Sequence, residues 1–228
     1  MKIGMVERKT VETCKKLLQQ AGQPVAITGA GISVASGLPT GSGEWQGIEL
    51  RDFFTLDMFL HSTERFYRYY RHMLRHWKQA KPNPAHYALA RHGMPIITQN
   101  IDGLHQRAGS PHVLELHGNL RELVCRGCAA IFSSDLVYTE SIPKCPSCGH
   151  LLKPDIVLVG EDVYHFATAV DWVGKADLLL VVGTRLEMEP CRQLPEIARR
   201  NGAPVFTLNR HAEQILPIIV CELSDSKR

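Results

Sequence analysis

Five short apolar runs, spaced by helix-length segments, constrain the fold of this chain more than any other feature. Val25-Ala26-Ile27-Thr28 runs into Gly29, Met94-Pro95-Ile96-Ile97 into Thr98, and Asp155-Ile156-Val157-Leu158-Val159 into Gly160. Ala176 to Val182 then runs into Gly183, and Ala203 to Leu208 into Asn209. Continuous apolar runs of this length are strands buried on both faces of a parallel sheet. Segments 84–92 and 190–201 between them have helical length. Another helix is expected over 7–21, with Val11, Cys14, Leu17 and Leu18 on one face. Strands alternating with helices predict an α/β fold, a doubly wound parallel, Rossmann-like sheet. Ligands of such sheets sit beyond the carboxyl ends of the strands, where this chain places Gly, Thr and Asn. A last short strand is expected at Ile218-Ile219-Val220-Cys221.

Two segments break the alternation. Residues 49–81 are helical and aromatic, and residues 121–152 carry four of the seven cysteines. Together they predict a smaller zinc-ribbon and helical second lobe. The sheet domain is then built from 1–48, 82–120 and 153–228. Within 65–81, Phe66, Tyr70, Met73 and Trp77 share one helical face and are expected in the core. Arg65, Arg68, Arg71, Arg75 and Lys78 gather opposite them, as a solvated basic face.

Cys125-Arg-Gly-Cys128 and Cys145-Pro-Ser-Cys148 are two CxxC knuckles 16 residues apart. Each knuckle turns two sulfurs toward one point, and four thiolates close a tetrahedral shell around zinc. A redox CxxC leaves the second pair without a purpose, and two disulfides require an oxidising compartment. One structural zinc ion is therefore expected on Cys125, Cys128, Cys145 and Cys148. Cys14, Cys191 and Cys221 are isolated and read as buried small hydrophobes.

Composition narrows the function. A formal net charge of +3 is too weak to indicate nucleic acid or membrane binding. No apolar run reaches the roughly 18 residues of a membrane helix. The first ten residues lack the apolar stretch of a secretory signal, so a cytoplasmic location is expected. Oligomeric state is not legible.

Gly29-Ala30-Gly31 after a strand suits a phosphate approaching backbone amides. The dinucleotide fingerprint calls for another glycine at 34, where Val34 stands, so a nucleotide site and a plain tight turn both stay open. The motifs taken together are more specific. Gly29-Ala30-Gly31-Ile32-Ser33 is followed by Ser36-Gly37-Leu38-Pro39, Thr98-Gln99-Asn100-Ile101-Asp102 and Leu116-His117-Gly118-Asn119-Leu120. The paired knuckles come next, then Val159-Gly160-Glu161, Val182-Gly183-Thr184 and Leu208-Asn209. This set resembles the sirtuins, the NAD-dependent protein lysine deacylases, over roughly residues 10–215.

The resemblance implies a role for each matching position. Gly29, Ala30, Gly31 and Ser33 are implied to cradle the NAD phosphates. The Gln99-Asn100-Ile101-Asp102 segment is implied to face NAD, with Asn100 and Asp102 on the nicotinamide ribose and carboxamide. His117 is implied as general base, and Gly183, Thr184, Arg185 and Asn209 as the phosphate and adenosine-ribose side. Val159, Gly160 and Glu161 match the segment that pairs with an acyl-lysine peptide or protein substrate. The implied reaction transfers the acyl group to ADP-ribose and releases nicotinamide. An imidazole with a pKa of about 6.5 can accept a ribose hydroxyl proton near neutrality.

Three departures sharpen these expectations. Pro39-Thr40-Gly41-Ser42-Gly43-Glu44-Trp45 lacks the Phe-Arg pair with which many sirtuins continue this motif. A site without that cover admits water, which makes an NAD glycohydrolase or ADP-ribosyltransferase the rival enzyme. Trp45 and Phe53 are candidate replacements for the cover. Arg185 adds charge beside the implied phosphates. Tyr67 and Arg71 lie four apart on a helix, one position off the sirtuin Tyr-x-x-Arg pattern for acidic acyl groups, and a convergent pair would favour succinyl- or malonyl-lysine. A non-catalytic NAD or ADP-ribose binder is disfavoured by the retention of His117 and Asn100. A nucleic-acid module is disfavoured by the low charge and by the lack of aromatics on the basic face.

Overall fold

The computed structural model describes residues 5–40 and 43–225, with side chains from 8 to 221 except that of Trp45. In chain order, helix α1 (Met5–Gln20) leads into strand β1 (Pro24–Thr28), followed by a 3-10 segment (Ala30–Ser36). A small hairpin, β2 (Glu44–Trp45) and β3 (Ile48–Glu49), opens onto α2 (Leu50–Phe53), α3 (Leu56–His61) and α4 (Thr63–Gln79). Then come α5 (Pro84–His92), β4 (Ile96–Thr98), α6 (Leu104–Arg107), β5 (Val113–Glu115), β6 (Gly118–Cys125), β7 (Ile131–Ser133) and β8 (Leu152–Ile156). The chain closes with α7 (Phe166–Lys175), β9 (Leu178–Val182), α8 (Leu194–Arg200), β10 (Val205–Leu208) and α9 (Ala212–Asp225).

The large sheet is parallel, in the order β10-β9-β1-β4-β5. Every residue of β1 and β9 is buried, as a sheet covered on both faces requires. One face packs α1, α5 and α9 through Cys14, Leu18, Leu89 and Leu216. The other packs α7 and α8 through Ala169, Val173, Leu194 and Ala198. The chain leaves β1 toward β4 on one side and later returns to β9 on the other. The crevice between the ends of β1 and β9 is therefore the topological switch point, where such folds take ligands.

A second core joins the aromatic helices to the cysteine-bearing sheet β7-β6-β8. Phe66, Tyr70, Met73 and Trp77 are buried there, as the helical stripe predicts, and Phe53 stacks on Phe66. The basic face of α4 is only partly solvated. Arg75 and Lys78 lie over the Tyr138 ring, and Lys78 pairs with Asp135.

Three sequence expectations change. The run Asp155–Val159 is not a parallel strand: Leu152–Ile156 pairs antiparallel with β6 in the small sheet, where Pro154 and buried Lys153 belong to the cysteine module. The small lobe therefore extends past 153, and the place in the large sheet goes to Val113–Glu115, three half-buried residues too short to stand out as an apolar run. Ile218–Cys221 lies within α9, with Ile219 and Val220 facing the core at helical spacing. Cys14 and Cys191 are buried as expected, but Cys221 is exposed at the end of that helix.

Candidate active site

Three glycines build the crevice. The Gly31 N–H donates to the Gly183 carbonyl at 2.8 Å, and a Cβ on Gly31 would meet that oxygen at 2.6 Å. Gly183 has a φ of +65°, and a Cβ there would lie 2.2 Å from the Ile32 nitrogen. A Cβ on Gly29 would strike the Thr184 side chain at 2.6 Å. The loops after β1 and β9 thus touch backbone to backbone, which only glycine permits. Beyond Gly29 the chain turns into a seven-residue 3-10 segment rather than an α-helix.

Ser33 on that segment is buried, and its hydroxyl donates to Asp102 Oδ2 at 2.7 Å. Asn100 Nδ2 donates to Ser33 Oγ at 3.2 Å. Asp102 Oδ1 accepts from the Leu104 N–H at 2.9 Å, which seats the acid at the start of α6. Burial raises the Asp102 pKa, opposed by the Leu104 amide and the Ser33 hydroxyl. Ser33, Asn100 and Asp102 are therefore one hydrogen-bonded cluster, although 67 positions separate the first two in sequence.

His117 lies just before β6. Its Nδ1 donates to the Gln99 carbonyl at 2.9 Å, which leaves Nε2 as a bare acceptor. Burial lowers its pKa, opposed by that hydrogen bond. The adjacent Gly118 has a φ of +73°, and a Cβ there would meet the Asp155 carbonyl at 2.0 Å. Gly118 therefore lets β8 close against β6 directly beside the imidazole. Gln99 is a hub: its N–H reaches the Thr28 carbonyl, and its Oε1 accepts from Thr184 Oγ1 at 2.7 Å. Asn209 Oδ1 accepts from the Thr184 N–H at 2.9 Å. Ile101 packs toward the small-lobe core. Arg185 is exposed and 3.7 Å from Glu187, on a cavity of about 570 Å³ that Arg192, Arg199 and Asn209 also line.

The other sequence candidates lie apart. Both backbone groups of Val159 are taken up, its N–H by the Phe54 carbonyl at 2.8 Å and its carbonyl by the Leu56 N–H at 3.3 Å. Glu161 is tied inward, to buried Lys153 at 2.9 Å and to the Leu158 N–H at 2.9 Å. Gly160 is left exposed at the tip of the loop. Tyr67 and Arg71 do not form an acyl pocket. Tyr67 is fully buried and its hydroxyl donates to the Leu152 carbonyl, while Arg71 donates to the carbonyls of Val137, Glu140 and Ser141. Both belong to the seam between α4 and the cysteine module. Phe53 is equally committed to that core, and the Trp45 side chain and residues 41–42 lie outside the described residues.

The four knuckle sulfurs lie within 4.8 Å of one another, with Cys125–Cys148 at 3.3 Å and Cys128–Cys145 at 3.6 Å. A zinc–sulfur bond of about 2.3 Å gives tetrahedral S···S separations of about 3.8 Å, so the quartet fits that ion and is far too open for disulfides.

A glycine-lined switch-point crevice with a tautomer-fixed histidine and a buried Asn–Ser–Asp cluster defines a nucleotide-using α/β enzyme. The chain matches the Sir2 family profile over residues 29–190 and belongs to that family. It is 38% identical to the NAD-dependent protein deacetylase of Sulfurisphaera tokodaii, covering 90% of this chain and 88% of that protein. It is 36% identical to the NAD-dependent protein deacylase of Pyrococcus furiosus, covering 89% and 88%. A Sir2 homologue solved as its NAD complex superposes with a TM-score of 0.87 at 29% identity, covering 95% of each chain. A Sir2 protein bound to an acetylated peptide superposes with a TM-score of 0.84 at 30% identity, covering 93% and 98%.

Proposed function

We propose that this Sir2-family enzyme is an NAD-dependent protein lysine deacylase that transfers the acyl group of an acyl-lysine peptide to ADP-ribose. The observation that carries the reading is the Ser33–Asn100–Asp102 cluster next to Gln99, which holds His117 by its carbonyl and the β9 loop by its side chain. NAD supplies an anomeric carbon with nicotinamide as leaving group. Gly29, Ala30, Gly31 and Ser33 form the turn against which its phosphates lie, the two glycines by leaving room for them, with Gly183, Thr184, Arg185 and Asn209 on the adenosine side. The uncharged Asn100 amide orients ribose hydroxyls, and Asp102 accepts from the carboxamide. His117 takes a ribose hydroxyl proton at Nε2, because its Nδ1–H stays on Gln99. Exposed Gly160 is the position of this loop that meets the peptide; Val159, paired with Phe54 and Leu56, and Glu161, bound to Lys153, hold the loop in place.

One structural zinc ion on Cys125, Cys128, Cys145 and Cys148 completes the protein. Its closed thiolate shell leaves no position for chemistry. The cytoplasm, which keeps such thiols reduced, is the compartment we assign. Among the described residues no helix is long and apolar enough to cross a membrane.

Mass spectrometry of products tests the reading. With NAD and acetyl-lysine peptide, O-acyl-ADP-ribose should appear in step with deacylation. Nicotinamide with free ADP-ribose, formed regardless of peptide, would instead identify a glycohydrolase, and an ADP-ribosylated protein would identify a transferase.

A further inference from the structure

Behind the crevice lies a chain of buried polar groups that the reaction does not touch. Asn83 caps α5, and its backbone N–H donates to His86 Nδ1 at 3.3 Å. Its side-chain amide also donates to the Ile32 carbonyl at 2.7 Å and to Ser36 Oγ at 3.0 Å, so the same residue holds the 3-10 segment that carries Ser33. The His86 ring lies 4.9 Å, centroid to centroid, from that of His105. His105 Nε2 is 2.9 Å from Thr28 Oγ1, Thr28 Oγ1 donates to Thr98 Oγ1 at 2.9 Å, and Thr98 Oγ1 accepts the Asn100 N–H at 3.0 Å. His86, His105, Thr28 and Thr98 are each at most 2% exposed.

Hydrogen-bond polarity along this chain converges on Thr98 Oγ1. Burial keeps both imidazoles neutral, with pKa values near 4 for His86 and 3 for His105. His86 accepts at Nδ1, so its proton sits on Nε2. Thr28 spends its proton on Thr98, so it must accept from His105, whose proton also sits on Nε2. That leaves a donor, His86 Nε2–H, beside an acceptor, His105 Nδ1. Neither atom makes a hydrogen bond among the described residues, and the two rings meet by packing alone. Donors therefore run from His105 through Thr28 to Thr98 Oγ1, which accepts the Asn100 N–H from the other side.

We propose that His105 is a positioning residue, which through Thr28 and Thr98 fixes the backbone of Asn100 and so the amide that orients the nicotinamide ribose. The inference rests on the deacylase reading for what Asn100 does, but not for the hydrogen-bond chain itself. A one-ångström drift of a substrate-orienting group is enough to lower turnover strongly. Asn83, which holds both His86 and Ile32, reaches this chain only through the packing of the His86 ring on that of His105.

The test compares His105→Phe, His105→Gln, Thr28→Val and the Phe/Val double variant with the wild-type full chain. Circular dichroism and melting report the fold. Kinetics use NAD and acetyl-lysine peptide. His105→Phe should lower kcat/KM for NAD by about tenfold or more, the scale of one lost buried hydrogen bond, and leave KM for peptide unchanged. The Gln amide can donate to Thr28 as Nε2–H does, so His105→Gln should recover most of the loss. Thr28→Val should match His105→Phe, and the double variant should be no worse than either, because both break one chain. Nitrogen-15 imidazole shifts should show His86 and His105 as Nε2–H tautomers. A folded His105→Phe with unchanged kcat/KM for NAD, a Gln variant no better than Phe, multiplicative losses, or an Nδ1–H tautomer at His105 would each overturn the proposal. If His105→Phe does not fold, the Gln and Val variants and the tautomer decide. If the wild type releases no O-acyl-ADP-ribose, the deacylase reading fails by itself. ADP-ribose affinity of the variants then tests the positioning role.

Discussion

The Nδ1 of His117 and the backbone carbonyl of Gln99, 2.9 Å apart, fix which nitrogen of the imidazole is free to act. The same Gln99 holds Thr184 through its side chain, so one residue links the base to the β9 loop of the crevice. Partial burial lowers the His117 pKa below the ordinary 6.5, so the neutral base persists into mildly acidic solution. The acid limb of kcat/KM should therefore have its midpoint below 6.5, and a midpoint above it would contradict the assignment. His117→Ala should keep the fold and lower kcat by about 10²–10⁴-fold, the usual worth of a positioned general base.

Gly31 and Gly183 make the second prediction. Alanine at 31 brings a methyl group 2.6 Å from the Gly183 carbonyl, and alanine at 183 also forces a positive φ. Either change must part the loops after β1 and β9, so ADP-ribose affinity should fall in each variant, measured by calorimetry. Gly93→Ala is the control. Its Cβ would meet nothing within 4 Å, so only the strain of φ +79° is added, about 1 kcal/mol of stability with ligand affinity unchanged.

Tyr67 and Arg71 are predicted to matter for folding and not for acyl choice. Tyr67→Phe leaves the buried Leu152 carbonyl without its donor, a loss of about 1–3 kcal/mol. Arg71→Ala abandons three carbonyls of the cysteine module at once. Both variants should melt earlier, while the ratio of succinyl- to acetyl-lysine turnover stays that of the wild type. A selective loss of succinyl turnover in either would restore them to the acyl pocket.

What could be read from the sequence follows from where the information is local. The large sheet was legible because strands buried on both faces are continuously apolar, as Leu178–Val182 is. Val113–Glu115 was not, because an edge strand of three half-buried residues carries no such run. Ile218–Cys221 misled because four apolar residues look alike as strand or helix until the facing partners, α1 and α5, are known. Spacing placed the cysteine quartet, since a CxxC turn is a local geometry. Tyr67 and Arg71 deceived because helical spacing shows that two side chains share a face, not what that face meets. His105, Thr28, Thr98 and Gly118 were missed for the same reason. Nothing in a threonine at a strand end announces a hydroxyl buried against a histidine 77 positions away.

Buried neutral histidines make stability depend on acid. His86 and His105 titrate near 4 and 3 in the folded protein and near 6.5 when unfolded. Below 6.5 the unfolded chain binds protons that the folded one refuses, so stability falls as pH falls. Each histidine contributes a slope approaching about 1.4 kcal/mol per pH unit down to its folded value. Urea midpoints should drop between pH 7 and pH 5, and His105→Phe should make that drop shallower. A midpoint flat over this range would mean that both rings accept protons in place.

Metal content is the last test. One zinc per chain is expected, because four sulfurs within 4.8 Å of one another repel as thiolates unless a cation holds them. Structural zinc is worth about 10–16 kcal/mol in small modules, as much as the whole stability of an ordinary domain. Cys148→Ser, or a strong chelator reaching the exposed Cys128 and Cys148, should therefore melt the core that α4 shares with β6, β7 and β8. Trp77 is buried in that core, so its fluorescence should shift to the red while the β1/β9 sheet keeps its far-ultraviolet signal. Deacylation should vanish with it, because Lys153 on β8 holds Glu161 and with it the 159–161 loop that we propose meets the peptide. Metal-free protein with native Trp77 emission and full activity would remove zinc from the account.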